Sequence, residues 1–171
     1  MSTSSPSSAS AKASNVFPLT FKEHEFVAYC YNTLRCRIIY NSANFTLGSE
    51  ELSSGAPPSL DYKKNWNASY AGIRNFPPPA DVRWTSLDGT THEAKIDIGE
   101  IFKDERVLHN VPESDYVQGS FGGTAGIFLE VNDRTINVYM EAFIATKTEQ
   151  IPGNKHSYGR TDLILAWSHT Y

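Results

Sequence analysis

Residues 81–105, DVRWTSLDGTTHEAKIDIGEIFKDE, carry the clearest structural signal in the chain. Val82 and Trp84 alternate with Arg83 and Thr85, and Leu87-Asp88-Gly89-Thr90 supplies turn chemistry. In the return segment Ala94, Ile96 and Ile98 fall on one face, with Glu93, Lys95 and Asp97 on the other. A period of two on both sides of an Asp-Gly turn predicts a β-hairpin with one face in a core. Asp97 then stands where a helix N-cap stands, with Glu100 three residues on and Ile98, Ile101 and Phe102 forming a small apolar stripe. This predicts a short helix ending near Glu105.

The same period recurs on either side. Ile127, Leu129 and Val131 share a face, Asn132-Asp133 marks a turn, and Ile136, Val138, Met140 and Ala142 alternate on the way back. This second hairpin is expected at the centre of a sheet. In TDLILAWSHTY (161–171), Leu163, Leu165 and Trp167 are expected to face one way. Six or seven strands in consecutive hairpins with one short helix predict a mainly β fold, an antiparallel β-sandwich or a strongly bent sheet.

A chain of 171 residues, 40% apolar, is long enough to bury a core without metal or dense disulfides, so residues 16–171 are expected to form a single β domain. Residues 1–15, MSTSSPSSASAKASN, hold seven serines and three alanines with Lys12 as the one charge, and read as a disordered tether. A tether of this kind follows a removed export signal, with Met1 standing where a lipid-carrying cysteine would be; an ordinary disordered tail is the alternative. The formal charge of −4 describes a surface that repels polyphosphate, so nucleic acid is not an expected partner.

Cys30 and Cys36 lie in EFVAYCYN and CRIIYN, two strand-like runs separated by Asn32, Thr33 and Leu34. If these form a hairpin with Tyr31 opposite Arg35, Cys30 faces Cys36 with Cα atoms roughly 4.5–5.5 Å apart, compatible with a cross-strand disulfide. Two buried free thiols are the alternative. A metal site wants more soft ligands, and a redox motif wants CxxC rather than CxxxxxC.

Two polar stretches interrupt the strands. Residues 48–79, rich in Ser, Gly, Asn and Pro, carry Tyr62, Trp66, Tyr70 and Phe76, which either pin the excursion to the domain or await a partner. Residues 110–124, NVPESDYVQGSFGGT, form a second Gly-rich loop. The sequence contains no GxSxG, HExxH, P-loop or strand–GxGxxG–helix motif, and His24, His92, His109, His156 and His169 lack paired metal-ligand spacing. Glu113 with Asp115 and Asp104 with Glu105 read as solvated surface acids more readily than as hydrolytic pairs. No catalytic residue, metal or cofactor is expected. NFT (44–46) and NAS (67–69) match the glycosylation pattern, which matters only in a eukaryotic secretory pathway.

The segment Asp81–Glu105, with its V-x-W-x-S-L strand and AKIDIGEIF continuation, resembles a group of small bacterial periplasmic lipoproteins. Several of these are similar to immunity proteins that protect a producing cell from antibacterial lipase effectors of the type VI secretion system. The resemblance implies a periplasmic, lipid-anchored inhibitor that occludes a cognate effector and has no catalytic residues of its own. On that reading the expected contacts are the acidic loop with Glu113, Asp115, Tyr116 and Phe121, and the aromatic excursion around Trp66 and Tyr70. An envelope carbohydrate-binding or structural β module, and an unrecognised hydrolase, are the competing classes.

Overall fold

Eleven strands follow one another in the computed structural model, which describes residues 17–46 and 51–171. They are β1 (Glu23–Tyr31), β2 (Thr33–Tyr40), β3 (Ala43–Asn44), β4 (Tyr70–Arg74), β5 (Ala80–Ser86), β6 (Thr91–Ile96), β7 (Thr124–Asn132), β8 (Thr135–Glu141), β9 (Phe143–Ala145), β10 (Gly159–Thr161) and β11 (Ile164–Thr170). One helical turn, α1 (Ile98–Ile101), follows β6. The serine-rich segment expected as a tether lies outside the described residues. No described helix is long and apolar enough to cross a membrane.

The strands form a five-stranded sheet in the order β11-β8-β7-β1-β4, a four-stranded sheet β3-β2-β5-β6 and a two-stranded extension β10-β9. The fold is the expected mainly β sandwich. Alternation explains the core between the two large sheets. Phe26 and Ala28 from β1, Ile127, Leu129 and Val131 from β7, and Val138 and Met140 from β8 meet Ile38, Tyr40, Val82, Trp84 and Ile96 from the second sheet. The predicted hairpins β5–β6 and β7–β8 are both present, and Asp97 caps α1 by accepting from the Glu100 amide at 3.0 Å. Trp84, at the centre of the V-x-W-x-S-L strand, is buried and donates its indole N–H to the Asp133 carbonyl at 2.8 Å, tying β5 to the β7–β8 turn.

Four expectations are corrected. The five-stranded sheet is mixed, because β1 runs parallel to β7 through nine residue pairs, from Glu23↔Thr124 to Tyr31↔Asn132. Helix α1 ends at Ile101, and the chain reverses at Glu105 (φ 53°), whose carbonyl accepts from the Phe21 amide at 2.9 Å. In β11 a bulge at Ala166 shifts the register, so that Leu165 lies opposite Tyr139 while Trp167 lies opposite Val138. Tyr139 and Val138 are consecutive, so Leu165 and Trp167 sit on opposite faces.

The fourth correction concerns the cysteines. Cys30 and Cys36 are disulfide-bonded as expected, but β1 and β2 are not a hairpin; they belong to different sheets. Asn32 (φ 52°) turns the chain from one sheet into the other, and its side chain donates to Asn132 Oδ1 at 3.0 Å. The bridge therefore spans the two layers, with a Cα–Cα separation of 6.5 Å, wider than opposed hairpin partners. Loop-closure entropy for a sequence separation of six gives a stabilisation of about 2 kcal/mol. Reduction, or replacement of both cysteines by Ala, is expected to lower the urea midpoint by a corresponding amount, with a two-hydrogen mass gain on reduction. An unchanged midpoint and mass would exclude the bridge.

Candidate functional site

The aromatic excursion lies across the outer face of the five-stranded sheet. Trp66, 7% exposed, stacks on Tyr29 (4.9 Å between ring centroids, 11°) and on Phe128 (5.7 Å, 16°), and meets Tyr139 edge-on at 5.6 Å. Its indole N–H donates to the Tyr31 hydroxyl at 2.9 Å. Beside it the Tyr62 hydroxyl donates to buried Glu130, whose other oxygen accepts from Asn137 Nδ2 at 3.0 Å. Trp66 thus fastens the excursion and offers no free face. Tyr70 is 43% exposed and packs edge-on against Phe45 at 5.4 Å.

The acidic loop divides in the same way. Glu113 is exposed on a short 3-10 turn, whereas Tyr116 and Phe121 are buried, with Tyr116 against Phe17 at 5.0 Å. Partner contact through Tyr116, Phe121 or Trp66 is therefore not available to a surface encounter. Large rings in otherwise polar loops gain more by covering the core than by facing water. Asp115 is a fastener: its carboxylate accepts from the Thr148 amide (3.0 Å) and hydroxyl (2.9 Å) and from Gln150 Nε2 (3.2 Å), while its carbonyl accepts from the Lys147 amide (2.8 Å). Burial alone would raise its pKa, but the bonds from Thr148, Gln150 and Lys147 outweigh it and hold the carboxyl below its ordinary value.

That knot supports a surface that the sequence did not single out. Val117 donates its amide to the Ala145 carbonyl (3.2 Å), and the Thr146 amide donates to the Tyr158 carbonyl (3.2 Å), so segment 116–117 and β10 flank β9 on its two sides. Phe143, 64% exposed, lays its ring over Gly159, where a Cβ would collide with it. Val117, Ile151 (59%) and Tyr158 (48%) are exposed on the same fastened segments. One signal could have found Phe143: if Ile136, Val138, Met140 and Ala142 point inward, residue 143 points out.

Beside Phe143 runs a groove of about 280 Å³ lined by residues including Glu25, Ala68, Gly126 and Glu141. Glu25, Gly126 and Glu141 are directly opposed across β1, β7 and β8, and Gly126 is buried under Ala68, whose Cβ would lie 3.2 Å from a Cβ at that position. Burial, and secondarily the charge of Glu25, raise the Glu141 pKa above its ordinary value. The residues are too far apart in sequence for spacing to have paired them.

Two polar clusters have the composition of catalytic sites. Ser86 Oγ contacts Asp88 Oδ1 (2.5 Å) and His92 Nε2 (2.9 Å), but the serine stands between acid and base rather than beside the base, and it is fully buried. A nucleophilic triad needs the imidazole between an accessible hydroxyl and the carboxylate. Here the group locks the β5–β6 turn, with Asp88 also holding the Thr90 amide and Arg134. The second cluster is inside the core. Asn75 Nδ2 donates to the Phe21 carbonyl (2.9 Å) and Glu105 (3.0 Å), so its Oδ1 accepts from His24 Nδ1–H (2.7 Å), and His24 Nε2 accepts from the Tyr40 hydroxyl (2.9 Å). This fixes His24 as a neutral tautomer. Among the described residues no group of three or more His, Cys, Asp or Glu side chains could hold a metal ion.

Comparison with protein-family models, with characterised proteins and with solved structures gives no significant match.

Two measurements follow from these contacts. Replacing Glu113 by Ala is expected to leave the thermal midpoint unchanged, whereas Asp115→Ala should lower it and raise amide exchange over 146–150. Equal effects of the two would refute the fastening role. Burial holds His24 and His109 below their ordinary pKa, so the unfolded chain binds more protons below pH 6.5. Stability should be fully present above about pH 6.5 and fall on acidification toward the folded-state values. His24→Gln keeps both hydrogen bonds without titrating and should flatten part of that slope in urea titrations from pH 8 to 5; an unaltered slope would exclude His24 as its source.

Proposed function

We propose that the chain is a non-catalytic binding protein that inhibits a cognate exported enzyme, acting as a periplasmic immunity protein against a type VI secretion effector of the lipase class. The resemblance of Asp81–Glu105 supplies the class of partner. The observation that supports binding is the exposed apolar surface carried by β9, β10 and the two loops fastened through Asp115. It presents Phe143, Val117, Ile151 and Tyr158 on backbone that is already ordered. Exposed aromatics on a preorganised frame are the usual anchors of protein interfaces, because little conformational entropy is lost on docking.

The disulfide is the bond of a chain that matures in an oxidising compartment, which fits export to the periplasm. A lipid anchor at the N-terminus belongs to the same proposal. Within the acidic loop the proposed contacts are Glu113 and Val117, since Tyr116 and Phe121 are buried. The carbohydrate-module reading loses Trp66, which is buried against Tyr29, Phe128 and Tyr139.

The test is inhibition of a purified cognate effector by the full chain. Phe143→Ala combined with Tyr158→Ala is expected to weaken inhibition at least about 30-fold while the thermal midpoint stays within a few degrees. Wild-type inhibition by that variant would remove this surface from the interface, and the absence of any inhibited effector would overturn the reading.

A further inference from the structure

The chain's three tryptophans differ in how their indole N–H groups are used. Trp66 donates to the Tyr31 hydroxyl and Trp84 to the Asp133 carbonyl, whereas among the described residues Trp167 has no acceptor in the chain. Trp167 is half-buried on β11, the edge strand of the five-stranded sheet. It lies opposite Val138, which points into the sandwich, so its side chain is on the inner side of that edge and away from exposed Leu165. There it lines a groove of about 310 Å³ shared with the end of β6 and with α1, with Ile96 and Ile101 as apolar neighbours and Lys95, Asp97 and Glu100 as polar ones. That volume is at the small end of the range for small-molecule sites, about 300–1,000 Å³. Exposed His169, two residues on, continues the ring surface, its centroid 6.1 Å from that of Trp167 and its plane within 20°.

We propose that this groove binds a neutral saccharide, with one pyranose ring against Trp167. The site shares no residue with the exposed apolar surface around Phe143 and stands independently of the inhibitor reading. The charges around the groove are already matched: Lys95 lies 3.3 Å from Asp81, and Glu100 lies 3.6 Å from Lys103. An ionic ligand therefore finds no unpaired counter-charge. Hydroxyl groups make a different demand, because an ionised carboxylate offers about four lone-pair sites and one ion pair leaves several of them open. Asp97 uses Oδ1 for the Glu100 amide at 3.0 Å, which leaves its second oxygen for a hydroxyl. Glu100 adds acceptors, while the Lys95 ammonium and the Trp167 N–H add donors. A hexose with equatorial hydroxyls matches this arrangement, since its ring carbons turn C–H bonds toward an aromatic face and its hydroxyls turn toward the polar rim. An apolar side chain in the same place would cover the indole N–H and the Asp97 carboxylate without bonding them, which costs affinity.

The probes are cellobiose and chitobiose, each titrated into the isotope-labelled full chain while the three indole N–H resonances are followed by NMR. With one of them a saturable shift is expected at the Trp167 indole and at the Glu100 and Ile101 amides, with the Trp66 and Trp84 indoles unmoved. Added salt should leave the affinity unchanged, as a neutral ligand requires. Glu100→Ala, at an exposed position, should bind about tenfold more weakly with an unchanged thermal midpoint. No saturable shift with either saccharide, equal movement of all three indoles, or equal binding by Glu100→Ala would overturn the proposal. Hexane-1,6-diol moving the same resonances at the same concentrations would also overturn it, by showing an apolar cleft that does not select a sugar.

Discussion

Strand β7 is buried on both faces, and most of the architecture is a consequence of that. Residues Ala125–Val131 are all inaccessible: Ile127, Leu129 and Val131 point into the sandwich, while Gly126, Phe128 and Glu130 point the other way. An outward Phe and an outward Glu under cover require a lid that is apolar over one and hydrogen-bonding over the other. The 62–68 segment supplies both, with Trp66 stacked on Phe128 and Tyr62 bonded to Glu130. What looks like a long exposed loop is thus a second layer. On the proposed binding role, the surface left for a partner lies beyond the covered strand, around β9 and β10.

Periodicity revealed elements far better than it revealed partners. The β5–β6 and β7–β8 hairpins and the Asp97 cap are local, encoded by alternation, a two-to-four-residue turn and one side-chain bond, so a single stretch of sequence contains all the information. Parallel pairing of β1 with β7 joins residues about a hundred positions apart, and alternation is the same whichever direction a neighbour runs. The cysteine pair shows the same division. Its spacing allowed a bond, but a left-handed Asn32 sent the second strand into the opposite sheet, an outcome no side-chain pattern distinguishes from a hairpin loop. The site residues divided by context: loop aromatics could be lids or contacts, and Trp66, Tyr116 and Phe121 became lids while Phe143, inside an apparently structural strand, became exposed.

How a partner docks is further limited by the sheet edges. Pairing of a partner strand with an open edge is the simplest way for a β-sandwich to bind a chain, and here each edge of the two large sheets is blunted. β3 is two residues long, β6 carries Glu93 and Lys95, the β1–β4 pairing is irregular with Gly72 at φ 76°, and β11 bulges at Ala166. A partner strand meets either a short ladder, a charged one or a broken one. On the proposed binding role, recognition falls to side chains standing on sheet faces and fastened loops, where shape and charge are specified residue by residue. Such contacts discriminate among related enzymes in a way that backbone pairing, which every extended chain offers alike, does not.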